Sequence, residues 1–194
     1  MKVRLTFSEE CLGTASSSPD IHREYIASKA VDAATIEDEV AAVGVEATVE
    51  KGMTVFPRVD GRPLIYDYQV KGFFKDTCSA LARVPGTKSS KIRAFKKIID
   101  GTIFVFPRKI ELLLPAGGVI SNCQRPLRAS GPQGERIALA NSETVPIGTA
   151  LEMEIRPLDS GCEGIIREWL DYGKLRGLGQ WRNSGKGRFS WVEL

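Results

Sequence analysis

The chain has 194 residues and a formal net charge of +3, with 42% hydrophobic and 26% charged residues, which is ordinary for a globular protein. The length predicts a single domain over residues 1–194, with an insertion at about 20–50. So small a net charge does not by itself indicate a polyanion partner, and no apolar run approaches the roughly 20 residues that span a membrane.

Cysteine and histidine usage argues against a metal centre. The four cysteines are far apart and form no CxxC pair, and His22 is the single histidine. The sequence therefore predicts neither a zinc site nor another cofactor. The low cysteine density and a strand-like start favour a reducing, cytoplasmic setting.

The first third of the chain combines a strand, a small-residue loop and an acidic segment. Val3–Phe7 alternates apolar and polar residues, which predicts a strand, and Cys11–Asp20 has turn composition. Helices are predicted over His22–Lys29 and from Thr35 onward. The acids concentrate in Glu37–Glu50.

The middle third predicts a strand, a turn and two helices. Met53–Pro57 is expected to be a strand, and Asp60-Gly61 has turn chemistry. A helix is predicted over Gln69–Arg83, followed by a short basic helix over Ser90–Ile99 and a strand over Thr102–Phe106. The first helix has apolar residues at helical spacing on one face: Val70, Phe73, Phe74, Cys78 and Leu81.

The last third predicts strands around one amphipathic helix, Glu163–Tyr172. Gly131–Gly134 is predicted to be a hairpin tip. The final strand, Phe189–Leu194, is expected to lie inside the sheet beside the first strand. The other predicted strands are Lys109–Leu114, Val119–Leu127, Arg136–Asn141 and Ala150–Arg156.

Positive charge is concentrated in two stretches that contain no acid. These stretches predict local positive surfaces, although solvated faces of ordinary helices explain them equally well. The first contains Arg83, Lys88, Lys91, Arg93, Lys96 and Lys97, and the second contains Lys174, Arg176, Arg182, Lys186 and Arg188.

Residues 177–188 read GLGQWRNSGKGR and lie between the last helix and the last strand. Glycines permit close backbone approach, and free amides beside Arg182, Lys186 and Arg188 form the kind of nest that binds phosphate. A structural turn that packs helix on sheet is an equally open interpretation. We call residues 177–188 the glycine loop.

The glycine loop resembles the C-terminal G-x-G-x-x-(K/R)-S-x-G-x-G-(K/R) loop of the RAMP superfamily, the CRISPR-associated Cas5, Cas6 and Cas7 proteins. VRLTFSEECLGTASS, ETVPIGTALEMEI and DGRPLIYDYQVKGFFKDTCSAL, with Lys71-Gly72 and Lys75, resemble Cas7 segments in the same order. The resemblance implies an α+β, ferredoxin-like (RRM-like) fold. Its antiparallel sheet has helices on one face, and it carries a β-hairpin thumb at about 119–141 and an inserted helical segment.

Resemblance to Cas7 also implies a function, which is non-catalytic binding of a single-stranded nucleic acid backbone, RNA more than DNA, as a CRISPR effector backbone subunit. The implied partners are a homo-oligomer or a Cas-type protein complex, without a membrane. Tyr66, Tyr68 and Trp181 are candidates for base stacking, and a role in the core or in a partner interface is an equally open interpretation for each. The implied nucleic-acid-binding residues are Lys71, Arg125, Arg128, Arg136, Gly177, Gly179, Arg182, Ser184, Gly185, Lys186 and Arg188.

The sequence departs from the Cas7 pattern at two places, and these departures limit which Cas7 properties are expected of this chain. Asp67 lies where the family has small serines beside the phosphate track. Met53-Thr54-Val55 stands where RNA-cleaving members have an aspartate, so target cleavage is not expected.

Three other functions stay open. A Cas6-like endoribonuclease would use His22 as general acid or base. A virus- or mobile-element-borne mimic would bind a host CRISPR complex, and a single-strand-binding protein would act outside any CRISPR locus.

Overall fold

The computed structural model describes residues 1–16, 53–131 and 134–194, and side chains are described outside 127–138. The predicted helical segment within 20–50 lies outside the described residues. The strands are β1 Lys2–Phe7, β2 Cys11–Leu12, β3 Ala15–Ser16, β4 Thr54–Val55, β5 Arg58–Val59, β6 Arg62–Tyr66, β7 Ile103–Phe106, β8 Lys109–Glu111, β9 Ser121–Gly131, β10 Gly134–Val145, β11 Ala150–Pro157 and β12 Phe189–Glu193. The helices are α1 Asp67–Leu81, α2 Phe95–Thr102 and α3 Glu163–Arg176, with short 3-10 turns at Ser89–Lys91, Ser160–Cys162 and Arg182–Ser184.

A four-stranded antiparallel sheet forms the centre of the fold, with strand order β12-β1-β11-β7. Along the chain these strands alternate with helices as β1-α1-β7-β11-α3-β12. That is the β-α-β-β-α-β arrangement of ferredoxin-like folds, so the predicted fold class is confirmed. Two smaller sheets, β2-β10-β4-β3 with β9 and β5-β6-β8, extend from this centre.

Helices α1 and α3 cover one face of the central sheet because each has one apolar side. The start of α1 is fixed by a capping box, in which the Gln69 side chain accepts a hydrogen bond from the Tyr66 amide at 2.7 Å. Phe74 of α1 and Trp169 of α3 pack at 5.3 Å between ring centroids. Gly173 lets α3 approach the sheet, since a Cβ there would lie 2.2 Å from the Phe189 ring.

Two local predictions are wrong. The single helix expected over Ser90–Ile99 is interrupted, because Ala94 has a φ of 52° and the helix begins at Phe95. The last strand pairs with β1 as expected, but it lies at the edge of the sheet rather than inside it.

The long strands β9 and β10 form an antiparallel hairpin. Its pairing runs from Ser121 with Thr144 to Gly131 with Gly134, which confirms the predicted tip. At its root, β10 also pairs with β2 and, in parallel, with β4. The root therefore lies beside β2, which follows β1 in the chain, and beside β4. The role of this hairpin as a thumb stays a prediction.

Candidate nucleic-acid interface

The glycine loop is closed by its own backbone hydrogen bonds. The Leu178 amide donates to the Gly187 carbonyl at 2.8 Å, and the Gly187 amide donates to the Glu10 carbonyl at 2.8 Å. The Ser184 and Gly185 amides donate within a 3-10 turn. The expected row of free amides is therefore wrong for these four residues, whose donors are already satisfied.

Most cations around the glycine loop have partners inside the protein. Asp76 of α1 accepts from Arg176 at 2.8 Å and from Arg182 at 2.7 Å. Lys186 pairs with Glu10. Burial raises the pKa of Asp76, but the two arginines outweigh it and hold that pKa below its usual value. The positive charge predicted for this stretch is thus largely offset.

Arg188 is the remaining predicted cation of the glycine loop. Its Nε donates to the Leu175 carbonyl at 3.1 Å, where the last turn of α3 leaves carbonyl groups without helical partners. Arg188 therefore closes the end of α3.

Arg125 joins the hairpin root to the glycine loop. Its side chain is 6% exposed, and its guanidinium donates to the Gln180 side chain at 2.9 Å and to the Ser142 hydroxyl at 3.1 Å. Gln180 in turn donates to the Gly13 carbonyl at 2.8 Å. Among the residues that the structure describes, no acid pairs with Arg125, so its polar partners are the neutral side chains of Gln180 and Ser142.

Trp181 presents an aromatic face at the same place. The Arg125 guanidinium lies 5.2 Å from the centroid of the indole ring, which is within cation–π range. Trp181 is 38% exposed and has a φ of 55°, an unusual conformation for a bulky residue. Local backbone strain is thus concentrated where the loop presents its aromatic ring.

A cavity of about 270 Å³ lies between the start of α1 and the glycine loop. Cys11, Gln69, Gly72, Gly179 and Arg182 contribute to its lining. Burial raises the pKa of Cys11 to about 12, so the thiol stays protonated and is not a nucleophile at neutral pH. The cavity is a recess lined by both polar and apolar residues.

The two tyrosine candidates differ in access. Tyr66 is fully buried, and its ring stacks on that of Tyr68 with centroids 5.3 Å apart. Tyr68 is half-buried and lines the cavity, with the Arg108 guanidinium 5.9 Å from its ring. Tyr66 is therefore a core residue, and Tyr68 is the accessible member of the pair.

Asp67 has a local partner. Its carboxylate lies 3.2 Å from the Arg108 guanidinium. Burial raises the pKa of Asp67 despite the nearby cation. The acid that departs from the Cas7 pattern is thus paired within the domain.

Lys71 lies apart from the glycine loop. It occupies the second turn of α1, and its amine donates to the Asp100 carbonyl at 3.1 Å at the end of α2. Its amine is also 5.4 Å from the centroid of the Phe104 ring on β7. The structure does not bring Lys71 together with Arg125 and Trp181.

The open face of the central sheet carries ion pairs on its central strands. Arg4 pairs with Glu152 at 3.3 Å across β1 and β11. Exposed aromatic rings occur on the edge strand β7, at Phe104 and Phe106, and the Arg156 guanidinium lies 4.9 Å from the Phe106 ring. The central strands therefore lack the aromatic residues on which RRM domains stack bases.

The remaining predicted residues are located only in part. Arg128 pairs with Ile137 and Arg136 pairs with Ala129 in the backbone register of the hairpin. His22 lies outside the described residues. No group of residues that could hold a metal ion occurs in the described parts of the chain.

Sequence reasoning missed the residues that fix this arrangement. Gln180 bridges Arg125 and Gly13, and Asp76 holds two arginines. Asp76 lies 106 residues before Arg182 in the chain, so no local pattern signals their contact. The one signal in the sequence was Gln180 itself, a polar side chain within a glycine-rich loop.

No protein-family model matches the chain, and no curated protein matches it. Comparison with solved structures does find similarity. A chain in a cryo-EM structure of the Type III-B Cmr-beta bound to cognate target RNA has a TM-score of 0.58 and 11% identity, over 99% of this chain. The two chains share a fold. The present chain spans 58% of the length of that one.

A chain in a Type IV-B CRISPR complex has a TM-score of 0.47 and 15% identity, over 98% of this chain and 88% of that one. Among the described residues, no helix is both long enough and apolar enough to span a membrane.

Proposed function

We propose that this protein is a non-catalytic subunit that holds a single-stranded nucleic acid, RNA more than DNA, in a CRISPR-type effector complex. The observation that carries the proposal is the contact between Arg125 and Trp181 at the hairpin root. Arg125 is buried and has no acid partner among the described residues, and the indole ring beside it is partly exposed. The fold shared with a chain of an RNA-bound Type III-B Cmr-beta structure supports the setting.

This chemistry favours single strands over duplexes. A base can stack on an exposed indole only when it is free of its duplex neighbours, and such stacking contributes about 1–3 kcal/mol per base. Arg125 is too deeply buried to grip a phosphate directly. In our proposal it orients Trp181 and supplies positive potential beside the ring.

The glycine loop has a supporting role in this proposal. Gly177, Gly179 and Gly185 have positive φ values, and the loop is closed through Lys186 and Arg182 to acids elsewhere in the fold. These residues, with Ser184 and Arg188, set the position of Trp181. Arg128 and Arg136, on the two arms of the hairpin, are proposed as backbone contacts, and Lys71 as a more distant one.

The first prediction concerns Trp181. Trp181→Ala is expected to weaken binding of oligouridine about 10-fold, the loss of roughly one stacked base, and to leave binding of an RNA duplex nearly unchanged. Fluorescence anisotropy of the purified protein with both probes measures this.

Two variants serve as controls. Trp181→Phe retains a stacking face and is expected to preserve most of the affinity. Trp191→Ala removes an indole that instead donates to Asp171 on α3, and is expected to have no effect on binding. Oligouridine affinity that is the same in Trp181→Ala and the unmodified protein would contradict the proposed site.

A further inference from the structure

The segment from the end of α1 into the first turn of α2, residues 83–97, carries a run of exposed cations, and we call it the basic loop. None of these residues takes part in an ion pair among the parts of the chain that the structure describes, and Lys88 alone has a hydrogen bond from its amine, to the Gly164 carbonyl at 3.2 Å. The cations are Arg83, Lys88, Lys91, Arg93, Lys96 and Lys97.

Elsewhere on the described surface, cations are commonly matched by acids. The cations of the basic loop differ from these because none of them is within ion-pair distance of a described carboxylate, and the nearby Glu168 carboxylate instead accepts from the backbone of the loop and acts electrostatically on Lys88 alone among these cations. The matched cations include Arg4, Arg58, Arg62, Lys75, Arg108, Arg156, Arg167, Arg176, Arg182 and Lys186.

The backbone of the basic loop is fixed in place by α3. The Glu168 carboxylate accepts hydrogen bonds from the amides of Lys88, at 2.7 Å, and Ser89, at 3.0 Å, and from the Ser89 hydroxyl at 2.6 Å. Trp169 donates to the same hydroxyl at 2.9 Å. The loop is therefore ordered before it meets a ligand, which lowers the entropy lost on binding.

The basic loop and the glycine loop lie at opposite ends of α3. The basic loop contacts Gly164 and Glu168 in the first half of the helix, and the glycine loop begins at Gly177, just after its end. At 1.5 Å per residue, the two ends of this helix are roughly 20 Å apart. A ligand at the basic loop is thus at a separate place from one at Trp181.

The basic loop also differs from the Trp181 site in chemistry. Its one aromatic residue, Phe95, is half-buried and packs against the core. A surface with cations and no exposed ring attracts phosphates without regard to whether bases are free. The expected ligand therefore has closely spaced phosphates in either single- or double-stranded form.

We propose that the basic loop is a second nucleic-acid site, which binds the phosphate backbone of single-stranded and duplex nucleic acid alike. The exposed cations without an ion pair among the described residues, the prearranged backbone and the lack of a stacking ring each support this assignment. This site is additional to the proposed single-strand site, and the two proposals can be tested independently.

The experiment neutralises Arg93, Lys96 and Lys97 together as glutamines. Affinities for an RNA duplex and for oligouridine are measured from about 50 to 200 mM salt, and each phosphate contact contributes about 0.9 to the slope of log affinity against log salt for a duplex. We expect the duplex slope to fall by about 2.7, the sum for three contacts, and the oligouridine slope to fall by about 2. The side chains are exposed, so a thermal melt close to that of the unmodified protein is expected.

The matched control neutralises Lys2, Arg4 and Arg62, which changes the net charge equally on other surfaces. A comparable loss of slope in this control would overturn the proposal, because it would show an effect of total charge. Unchanged slopes in the basic-loop variant, together with lost self-association in light scattering, would also overturn it, because the loop would then bind an acidic segment of a second copy.

Trp181→Ala separates this proposal from the proposed function. Weaker oligouridine binding in Trp181→Ala, with an unchanged salt dependence of duplex binding in the same variant, supports two separate sites. If Trp181→Ala has no effect on oligouridine affinity and the basic-loop variant still loses duplex affinity, the proposed single-strand site is contradicted and the basic-loop site is supported.

Discussion

Gly187 lies at the closest backbone contact of the glycine loop. A Cβ at this position would be 1.8 Å from the Leu178 carbonyl oxygen, and the residue has a φ of 72°. Glycine is needed here both for the left-handed conformation and for the space. The loop depends on this contact because the Leu178 amide donates to Gly187 across it.

The second prediction is that Gly187→Ala costs well over 2 kcal/mol of the free energy of unfolding, because an overlap with backbone atoms adds to the left-handed cost of about 1–2 kcal/mol. Gly117→Ala is the matched control, since Gly117 has the same φ of 72° and no atom near its Cβ position. Urea unfolding measures both. Equal losses of unfolding free energy in the two variants would show that the loop rearranges to accommodate the added methyl group.

The third prediction concerns Glu168 and pH. Burial raises the pKa of Glu168, but hydrogen bonds from Ser89 and from the amides of Lys88 and Ser89 bring it below its ordinary value of 4.5. The carboxylate therefore stabilises the fold above that value, and this contribution is lost as the pH falls through the folded-state pKa.

Glu168→Gln is expected to flatten the loss of stability between about pH 5 and pH 3, since the glutamine does not titrate. Ser89→Ala removes one donor to the carboxylate and is expected to give an intermediate slope. Thermal unfolding across that pH range measures all three proteins. An identical acid slope in Glu168→Gln and the unmodified protein would contradict the assigned role.

At the scale of elements, β12 connects the glycine loop to the central sheet. Phe189 at its start is fully buried and lies edge-on to Phe73 at 5.3 Å and to Phe7 at 6.5 Å. Although β12 is an edge strand, its first residue is thus part of the main core. The strand anchors the loop that precedes it.

The fourth prediction is that Phe189→Ala destabilises the domain by about 3–5 kcal/mol, as expected for removal of a core aromatic ring. Val192→Ala, an exposed position on the same strand, is expected to stay within about 0.5 kcal/mol. Denaturant unfolding measures both. Similar effects at the two positions would indicate that β12 contributes as a strand and not through its core residue.

At the scale of the whole molecule, the sequence was most informative where the pattern is local. The apolar period of α1, the Asp60-Gly61 turn and the hairpin tip all appear as predicted, because residues close in sequence determine them. The resemblance to Cas7 supplied the expected fold class, and the strand order confirms the ferredoxin-like arrangement.

The candidate site was less predictable because long-range partners decide its charge. Lys186 meets Glu10 across 176 residues, and Arg182 meets Asp76 across 106. A count of cations within a sequence segment does not include acids that are distant in the chain but close in the fold. The same count drew attention to residues 83–97, where the structure shows no ion pair among the described residues.

The position of β1 affects how the protein is made. This strand lies between β11 and β12, so Val3 faces Met153 on one side and Glu193 on the other. During synthesis, both neighbours of β1 emerge about 150 or more residues after it. The central sheet can therefore close only after β11 and β12 have left the exit tunnel, and the apolar residues of β1 remain accessible to chaperones until then.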